Sequence, residues 1–168
     1  MLSLIYIDKD YTVVTDYHLS KSDLVSMIQQ HDRIIFLGHG QPGGLINPKF
    51  LQTFQMEDLY LIDDSFGELL KGKETISIWC YSDHYFAKHQ IPGFHTGMII
   101  SEVQEAEFML GYSPLDEQEL YQNMIRFSQV IRDCIDMEPN AMKTYILTHY
   151  TGEDEITKFN RKNILVLA

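Results

Sequence analysis

The feature that most constrains the fold is the stretch 33–40, in which an unbroken run of large apolar residues stops at Gly-His-Gly. A short apolar run bounded by glycine is typical of a strand buried on both faces, as in a parallel sheet covered by helices. Residues 75–80 repeat this pattern. In open α/β sheets, ligands bind at the carboxyl ends of the strands. If both runs are parallel strands, His39 and Cys80 meet at that edge.

The stretches that precede these two strands predict helices. Ser20 is the expected N-cap of the first helix, and Asp23, three residues later, completes a capping box. A second helix is predicted to start at residues 63–65. Strands alternating with helices imply right-handed parallel crossovers. We therefore predict the α/β class, as a three-layer fold with a mainly parallel sheet and helices on both faces.

The rest of the chain gives weaker patterns. We expect a strand at residues 2–8, which 11–15 could extend or pair with. Residues 94–101 are expected to form a buried strand or one broken at Gly97, and helices are expected at 116–137 and 141–150. Asp83 and Ser101 are expected to be N-caps of further helices. There is no internal repeat and no low-complexity segment. We interpret residues 1–168 as one domain, which is long enough to bury a substantial core.

The net charge limits the classes of partner. Lys plus Arg number 13 and Asp plus Glu number 24, so the formal charge is −11, which disfavours binding to a nucleic-acid backbone. No apolar run approaches the roughly 20 residues of a membrane helix. The start of the chain has no basic segment and meets an acid at Asp8, so we read it as a strand, not as a signal peptide. We expect a cytoplasmic protein of a prokaryote that binds neither nucleic acid nor membrane.

The two cysteines do not form a disulfide framework. Cys134 lies in an amphipathic helical pattern and is expected to be a small core residue. Cys80 differs, because it follows a buried strand at the edge where His39 is also expected. A thiolate is the reactive form of cysteine, and a nearby imidazole can take the proton or stabilise the charge. The pair is therefore a candidate catalytic dyad, in which the side chains would lie within roughly 4–7 Å of each other.

An apolar strand that ends in His39-Gly40, followed about forty residues later by one that ends in Cys80, resembles the caspase-like clan of cysteine peptidases. That clan includes caspases, gingipains, clostripain, legumains and separases. The resemblance implies an α/β sheet with the catalytic residues at the ends of adjacent strands. It makes His39 the catalytic histidine, Gly40 the oxyanion glycine and Cys80 the nucleophile. The chain differs from the clan at Trp79, where a small residue is usual, and this places a bulky side chain beside the expected cleft.

The implied activity is hydrolysis of a peptide or amide bond in a peptide or protein substrate, with no cofactor and no metal. The backbone N–H groups of Gly40 and Cys80 are candidate oxyanion donors. If the substrate has a basic side chain, Asp83, Glu102 or Glu105 is a candidate to receive it. Each of these acids is otherwise an ordinary helix N-cap or first-turn residue.

Other functions remain open at this point. An α/β-hydrolase is disfavoured because no Gly-x-Ser-x-Gly elbow occurs, and no nucleotide-binding motif is present. Zinc binding is an alternative, because several potential ligands follow strand ends, namely His39, Cys80, His84, His89 and His95. The non-enzymatic alternative is an inactive caspase-like interaction module of a bacterial or phage protein. Its partner face would consist of the aromatic residues Tyr81, Tyr85, Phe86 and Phe94.

Overall fold

A computed structural model describes residues 2–15, 19–111 and 117–168 of the chain. Their contacts group into two units, each assembled from separate stretches of sequence. The first unit consists of the described residues within 2–12 and 98–164. The second consists of the described residues within 13–97 and 165–168. The interpretation of residues 1–168 as one domain stays a prediction, and the expected helix start at Asp116 lies outside the described residues.

The second unit contains the sheets. Its strands are β1 (Arg33–Leu37), β2 (Gly40–Gln41), β3 (Gly44–Ile46), β4 (Tyr60–Ile62), β5 (Glu74–Ile78), β6 (Gly93–Thr96) and β7 (Ile164–Leu167, whose first residue groups with the first unit). Its helices are α1 (Lys21–Gln29), α2 (Phe50–Thr53), α3 (Gly67–Leu70) and α4 (Ser82–His89), with 3-10 turns at Met56–Asp58 and Asp64–Phe66.

The strands form two sheets. One has the order β1-β5-β6-β7, in which the β1–β5 and β5–β6 pairs are parallel. The other has the order β2-β3-β4 and is antiparallel. The chain is therefore an α/β protein that combines parallel and antiparallel pairing. The expected parallel strands around residues 33–37 and 75–78 are confirmed, and they are neighbours.

Buried apolar residues join α1, α3 and α4 to β1. Leu24 and Ile28 lie one helical turn apart on α1, and they belong to the same core cluster as Phe36, Leu70 and Phe86. The i, i+4 spacing on α1 is what an amphipathic helix needs to bury one face. This packing gives the second unit a core in which helices cover the strands. A second helical layer and a caspase-like arrangement stay predictions.

The helical segments that precede β1 and β5 begin at the residues that the sequence pattern predicts. Ser20 accepts a hydrogen bond from the Asp23 N–H, and the Asp23 carboxylate accepts one from the Ser20 N–H, which completes the predicted capping box. The Asp63 carboxylate accepts from the N–H of Ser65 at the second start. The helix α1 and the 3-10 turn at Asp64–Phe66 therefore begin where side chains satisfy free backbone donors.

The first unit is helical. It contains a 3-10 turn at Leu2–Ile5 and the helices α5 (Val103–Leu110), α6 (Glu117–Cys134), α7 (Pro139–His149) and α8 (Glu155–Lys162). Arg126 and Asn123 on α6 bond to Asp154 and Thr157 at the start of α8. This polar contact fixes α6 against α8 within the unit.

The predicted strand at residues 2–8 is wrong. The N–H groups of Tyr6 and Ile7 both bond to the Ser3 carbonyl, at 3.3 and 3.1 Å, and this closes a local turn. Ile5 is fully buried, and the turn packs against α6, so burial against a helix replaces strand pairing. The expected extension at 11–15 is wrong too, because these residues have no regular structure and Val13 is exposed.

Two predicted N-caps are also wrong. Ser101 does not cap α5, since its N–H and hydroxyl donate to the Glu105 carboxylate and Glu102 occupies the N-cap position. Asp83 lies inside the first turn of α4, where Tyr81 occupies the N-cap position. The strand expected within 94–101 ends at Thr96 as β6, directly before Gly97, so the alternative of a continuous strand to residue 101 is wrong.

We predict that Ser20→Ala lowers the free energy of unfolding by about 1 kcal/mol, because the cap of α1 loses its side-chain acceptor. Urea unfolding followed by circular dichroism measures the change. Ser3→Ala is the matched control, since Ser3 is exposed, and it should leave stability within about 0.5 kcal/mol. An equal loss in both variants would show that the capping box does not stabilise α1.

Candidate functional site

The pairing of β1 with β5 places the two candidate catalytic residues at one edge of the parallel sheet. The register runs from Arg33 opposite Glu74 to Leu37 opposite Ile78. His39 and Cys80 each come two residues beyond the last pair. Because side chains alternate along a strand and parallel partners face the same side, continuation of this register directs both side chains to the same face of the sheet.

Hydrogen bonds fix the backbone on both sides of His39. The Gly38 N–H donates to the Ile78 carbonyl at 3.2 Å, which extends the β1–β5 pairing by one residue. The His39 carbonyl accepts from the Ile46 N–H at 2.9 Å, which ties it to β3. The His39 side chain is exposed. The imidazole is thus presented to solvent from a fixed backbone, where the chain passes from one sheet to the other.

Cys80 lies in a tight turn between β5 and α4. Its side chain is half-buried. The next residue, Tyr81, has φ 65° and ψ 28°, which is the left-handed region. A bulky residue in that region costs about 1–3 kcal/mol, and such residues cluster at functional sites. The Tyr81 N–H donates to the Gly97 carbonyl at 3.1 Å, and this bond helps to hold the turn.

The first turn of α4 acts on the Cys80 thiol in two opposite ways. The positive end of the α4 dipole follows directly, and a helix N-terminus favours the thiolate. Asp83 carries a negative charge in the first turn of α4 and disfavours a thiolate. Cys134 is quite different, because burial raises the pKa of its thiol to about 12. Of the two thiols, Cys80 is the one with access to solvent.

Trp79 is a core residue and does not stand in an open cleft. Its exposed fraction is 1%. Its ring packs edge-on against Phe36, with 5.7 Å between centroids, and at a tilt against Phe86, with 5.5 Å between centroids. It also lies against Gly40, where an added Cβ would fall 2.1 Å from Trp79 Cδ1. The caspase-like pattern has a small residue at this position. The bulky Trp79 is accommodated here because its ring is buried in the core.

Gly40 has a packing role as well as its expected role as oxyanion donor. The hydrogen bond between the His39 carbonyl and the Ile46 N–H makes Gly40 and Leu45 a pair without mutual hydrogen bonds. In such a pair the N–H points away from the partner strand. The Gly40 N–H is thus directed away from β3, while Trp79 fills the space a side chain would need.

The acidic residues proposed for substrate binding lie in different units. Asp83 follows Cys80 in the second unit. Its Oδ1 is buried without a hydrogen-bond partner among the described residues, and its Oδ2 lies 3.7 Å from His84 Nε2. Glu102 and Glu105 belong to the first unit. Glu105 accepts the bonds that begin α5, so it acts there as the ordinary first-turn acid.

A second pair with catalytic side-chain types lies on β5 and β6, and the sequence analysis did not identify it. Ser77 Oγ lies 2.6 Å from His95 Nδ1. Both residues are fully buried, and the His95 ring stacks on Phe86 with 4.1 Å between centroids. Burial lowers the pKa of His95 to about 3. The pair is thus a neutral hydrogen bond within the core, out of reach of a substrate.

Two alternatives find no support in the described structure. No group of three or more His, Cys, Asp and Glu side chains in residues 2–15, 19–111 and 117–168 is placed to hold a metal ion. The aromatic partner face expected for an interaction module is wrong, because Tyr85, Phe86 and Phe94 are fully buried and only Tyr81 is half-exposed. These rings are core residues of the second unit.

Comparison of the chain with protein-family models, with curated proteins and with solved structures finds no match. Within the part of the chain that the structure describes, no helix combines the length and the apolar character required for a membrane crossing. The class that the geometry defines is thus an α/β protein with a histidine and a cysteine at the ends of adjacent parallel strands.

We predict that Gly40→Ala lowers the free energy of unfolding by roughly 1–3 kcal/mol, because its new methyl group overlaps the Trp79 ring. In a Trp79→Leu background the same change should cost less, since the ring is gone. A double-mutant cycle by urea unfolding measures this coupling. An equal penalty in both backgrounds would contradict the packing role assigned to Gly40.

Proposed function

We propose that the chain is a cysteine peptidase-like hydrolase of caspase-like arrangement that acts on a peptide or amide bond. The observation that carries the proposal is the in-register parallel pairing of β1 and β5, after which His39 and Cys80 follow at equal distance. The turn that presents Cys80 supports it, because the thiol is half-buried, precedes a helix N-terminus and adjoins a strained residue.

In the proposed reaction, His39 takes the proton of the Cys80 thiol, and the thiolate sulfur attacks the carbonyl carbon. The carbonyl electron pair moves to oxygen, where the Gly40 N–H donates to the oxyanion. Removal of one such donor typically costs about 3 kcal/mol in activation free energy. His39 then gives its proton to the leaving amine as the C–N bond breaks. A water molecule, deprotonated by His39, hydrolyses the thioester and restores the thiol.

Asp83 is the proposed acceptor for a basic substrate side chain. The supporting observation is its position in the first turn of α4, three residues after Cys80, where its side chain is partly exposed. A partly exposed carboxylate near the thiol can accept a charged hydrogen bond from a cationic group of the substrate.

A reducing compartment fits this chemistry. Neither Cys80 nor Cys134 is in a disulfide, and a nucleophilic cysteine works only in the reduced state. We therefore propose a cytoplasmic protein that acts on peptide or protein substrates without a cofactor.

We predict that Cys80 reacts with iodoacetamide with an apparent pKa well under the ordinary thiol value of about 8.5, because His39 stabilises the thiolate. In His39→Ala the apparent pKa should return toward that value. The measurement is the pH dependence of alkylation in a Cys134→Ala background, read by mass spectrometry. Cys80→Ala should keep the fold and abolish hydrolysis of a peptide library.

The background substitution removes the second thiol, whose raised pKa already makes it a slow competitor. A Cys80 that reacts slowly, with a profile indifferent to His39, would contradict the proposed dyad. Undiminished hydrolysis in Cys80→Ala would reject Cys80 as the nucleophile.

We predict that Asp83→Asn lowers kcat/KM for peptides with Lys before the cleaved bond by roughly tenfold or more, because a charged hydrogen bond is worth about 1.5–3 kcal/mol. The matched substrate carries norleucine, which keeps the aliphatic chain and lacks the ammonium group. Its kcat/KM should change little. A similar loss for both peptides would show that Asp83 acts on the fold or on Cys80 and not on a basic side chain.

A further inference from the structure

We propose that the Thr96 hydroxyl is a positioning group for Cys80: together with the Gly97 carbonyl, it fixes the backbone on both sides of the thiol. This inference rests on the proposed function, since it concerns how the nucleophile is held. It adds residues from β6, a strand that carries neither member of the dyad.

The carboxyl end of β6 makes one hydrogen bond to each neighbour of Cys80. Thr96 Oγ1 donates to the Trp79 carbonyl at 2.9 Å. The Tyr81 N–H donates to the Gly97 carbonyl at 3.1 Å. Cys80 thus lies at the middle of a turn whose two flanking residues are anchored to Thr96, the last residue of β6, and to Gly97, which follows it.

Thr96 is itself held in place by Ser82, the first residue of α4. The Thr96 N–H donates to Ser82 Oγ at 2.9 Å. The Ser82 hydroxyl lies 2.9 Å from the Thr96 carbonyl and 3.2 Å from that of Ser77, both of which are acceptors for its proton. Ser77, Ser82 and Thr96 are fully buried. A buried network with its partners satisfied is rigid, and it transmits that rigidity to the turn.

The turn needs such support because Tyr81 is held in the left-handed region. A strained conformation of this kind persists only when surrounding contacts over-determine it. Loss of the Thr96 hydroxyl bond would allow the Trp79–Tyr81 backbone to relax. A displacement of about 1 Å is enough to lower the reactivity of a catalytic group about 100-fold. The thiol would then lose its alignment with His39 while the fold persists.

The test compares Thr96→Val with Thr75→Val in the full chain with Cys134→Ala. Both changes replace a buried threonine by its isostere and remove one hydroxyl bond, since Thr75 donates to the Pro92 carbonyl at 2.9 Å. Thr75 lies at the opposite end of β5, away from the turn. Thr96→Ser restores the hydroxyl and serves as the rescue variant. The readouts are the pH profile of Cys80 alkylation by iodoacetamide and the Tm.

We expect Thr96→Val to raise the apparent pKa of Cys80 by about one unit, which is a roughly tenfold decrease in the acid dissociation constant of the thiol. Thr75→Val should lose a similar amount of Tm and keep the wild-type profile. Thr96→Ser should return toward the wild-type profile, and this is measurable even if Thr96→Val folds poorly. Equal shifts in the two valine variants, or no recovery in Thr96→Ser, would overturn the positioning role.

The two proposals fail in different ways. If wild-type Cys80 depends on His39 and Thr96→Val behaves the same as wild type, the positioning role is wrong and the dyad stands. If wild-type Cys80 already shows an ordinary thiol profile that ignores His39, the dyad is wrong, and the positioning role is rejected with it.

Discussion

The structure of the second unit depends on the parallel hydrogen-bonded pairing of β1 with β5. That pairing sets a register from Arg33–Glu74 to Leu37–Ile78, and the register determines which residues emerge at the carboxyl edge. The Gly38 N–H and the Ile78 carbonyl extend it by one step. A slip by one residue would turn every following side chain to the opposite face of the sheet. Core packing and the placement of His39 and Cys80 are thus set by the same hydrogen bonds.

The residues directly before and after Cys80, the proposed nucleophile, are both held in place by the core or by hydrogen bonds. Trp79 is buried against Gly40 on one side of the sheet, and Tyr81 is held in a strained conformation by the Gly97 carbonyl. Cys80 lies between one neighbour fixed by burial and another fixed by a hydrogen bond. The large apolar side chain of Trp79 is thus buried directly beside Cys80, and the thiol stays half-exposed.

Local patterns allowed the parallel strands, the α/β class and the capping box of Ser20 to be predicted, because each depends on residues close in sequence. The 3-10 turn near Ile5 was missed, since a short apolar run does not reveal whether a strand or a helix will cover it. The left-handed Tyr81 was also missed, because it depends on a bond from Gly97, which is sixteen residues away. The hydrogen bond of Thr96 to Trp79 has no local signal for the same reason.

The division of the second unit into residues 13–97 and 165–168 has a consequence for folding during synthesis. β1, β5 and β6 leave the ribosome early, but β7, the outer strand of their sheet, is made only after the helices of the first unit. Until then β6 has an open edge, which is a template for pairing with other chains. The sheet therefore gains its last strand late in synthesis. A nascent chain that stalls before residue 164 would expose the unpaired edge of β6 to other chains.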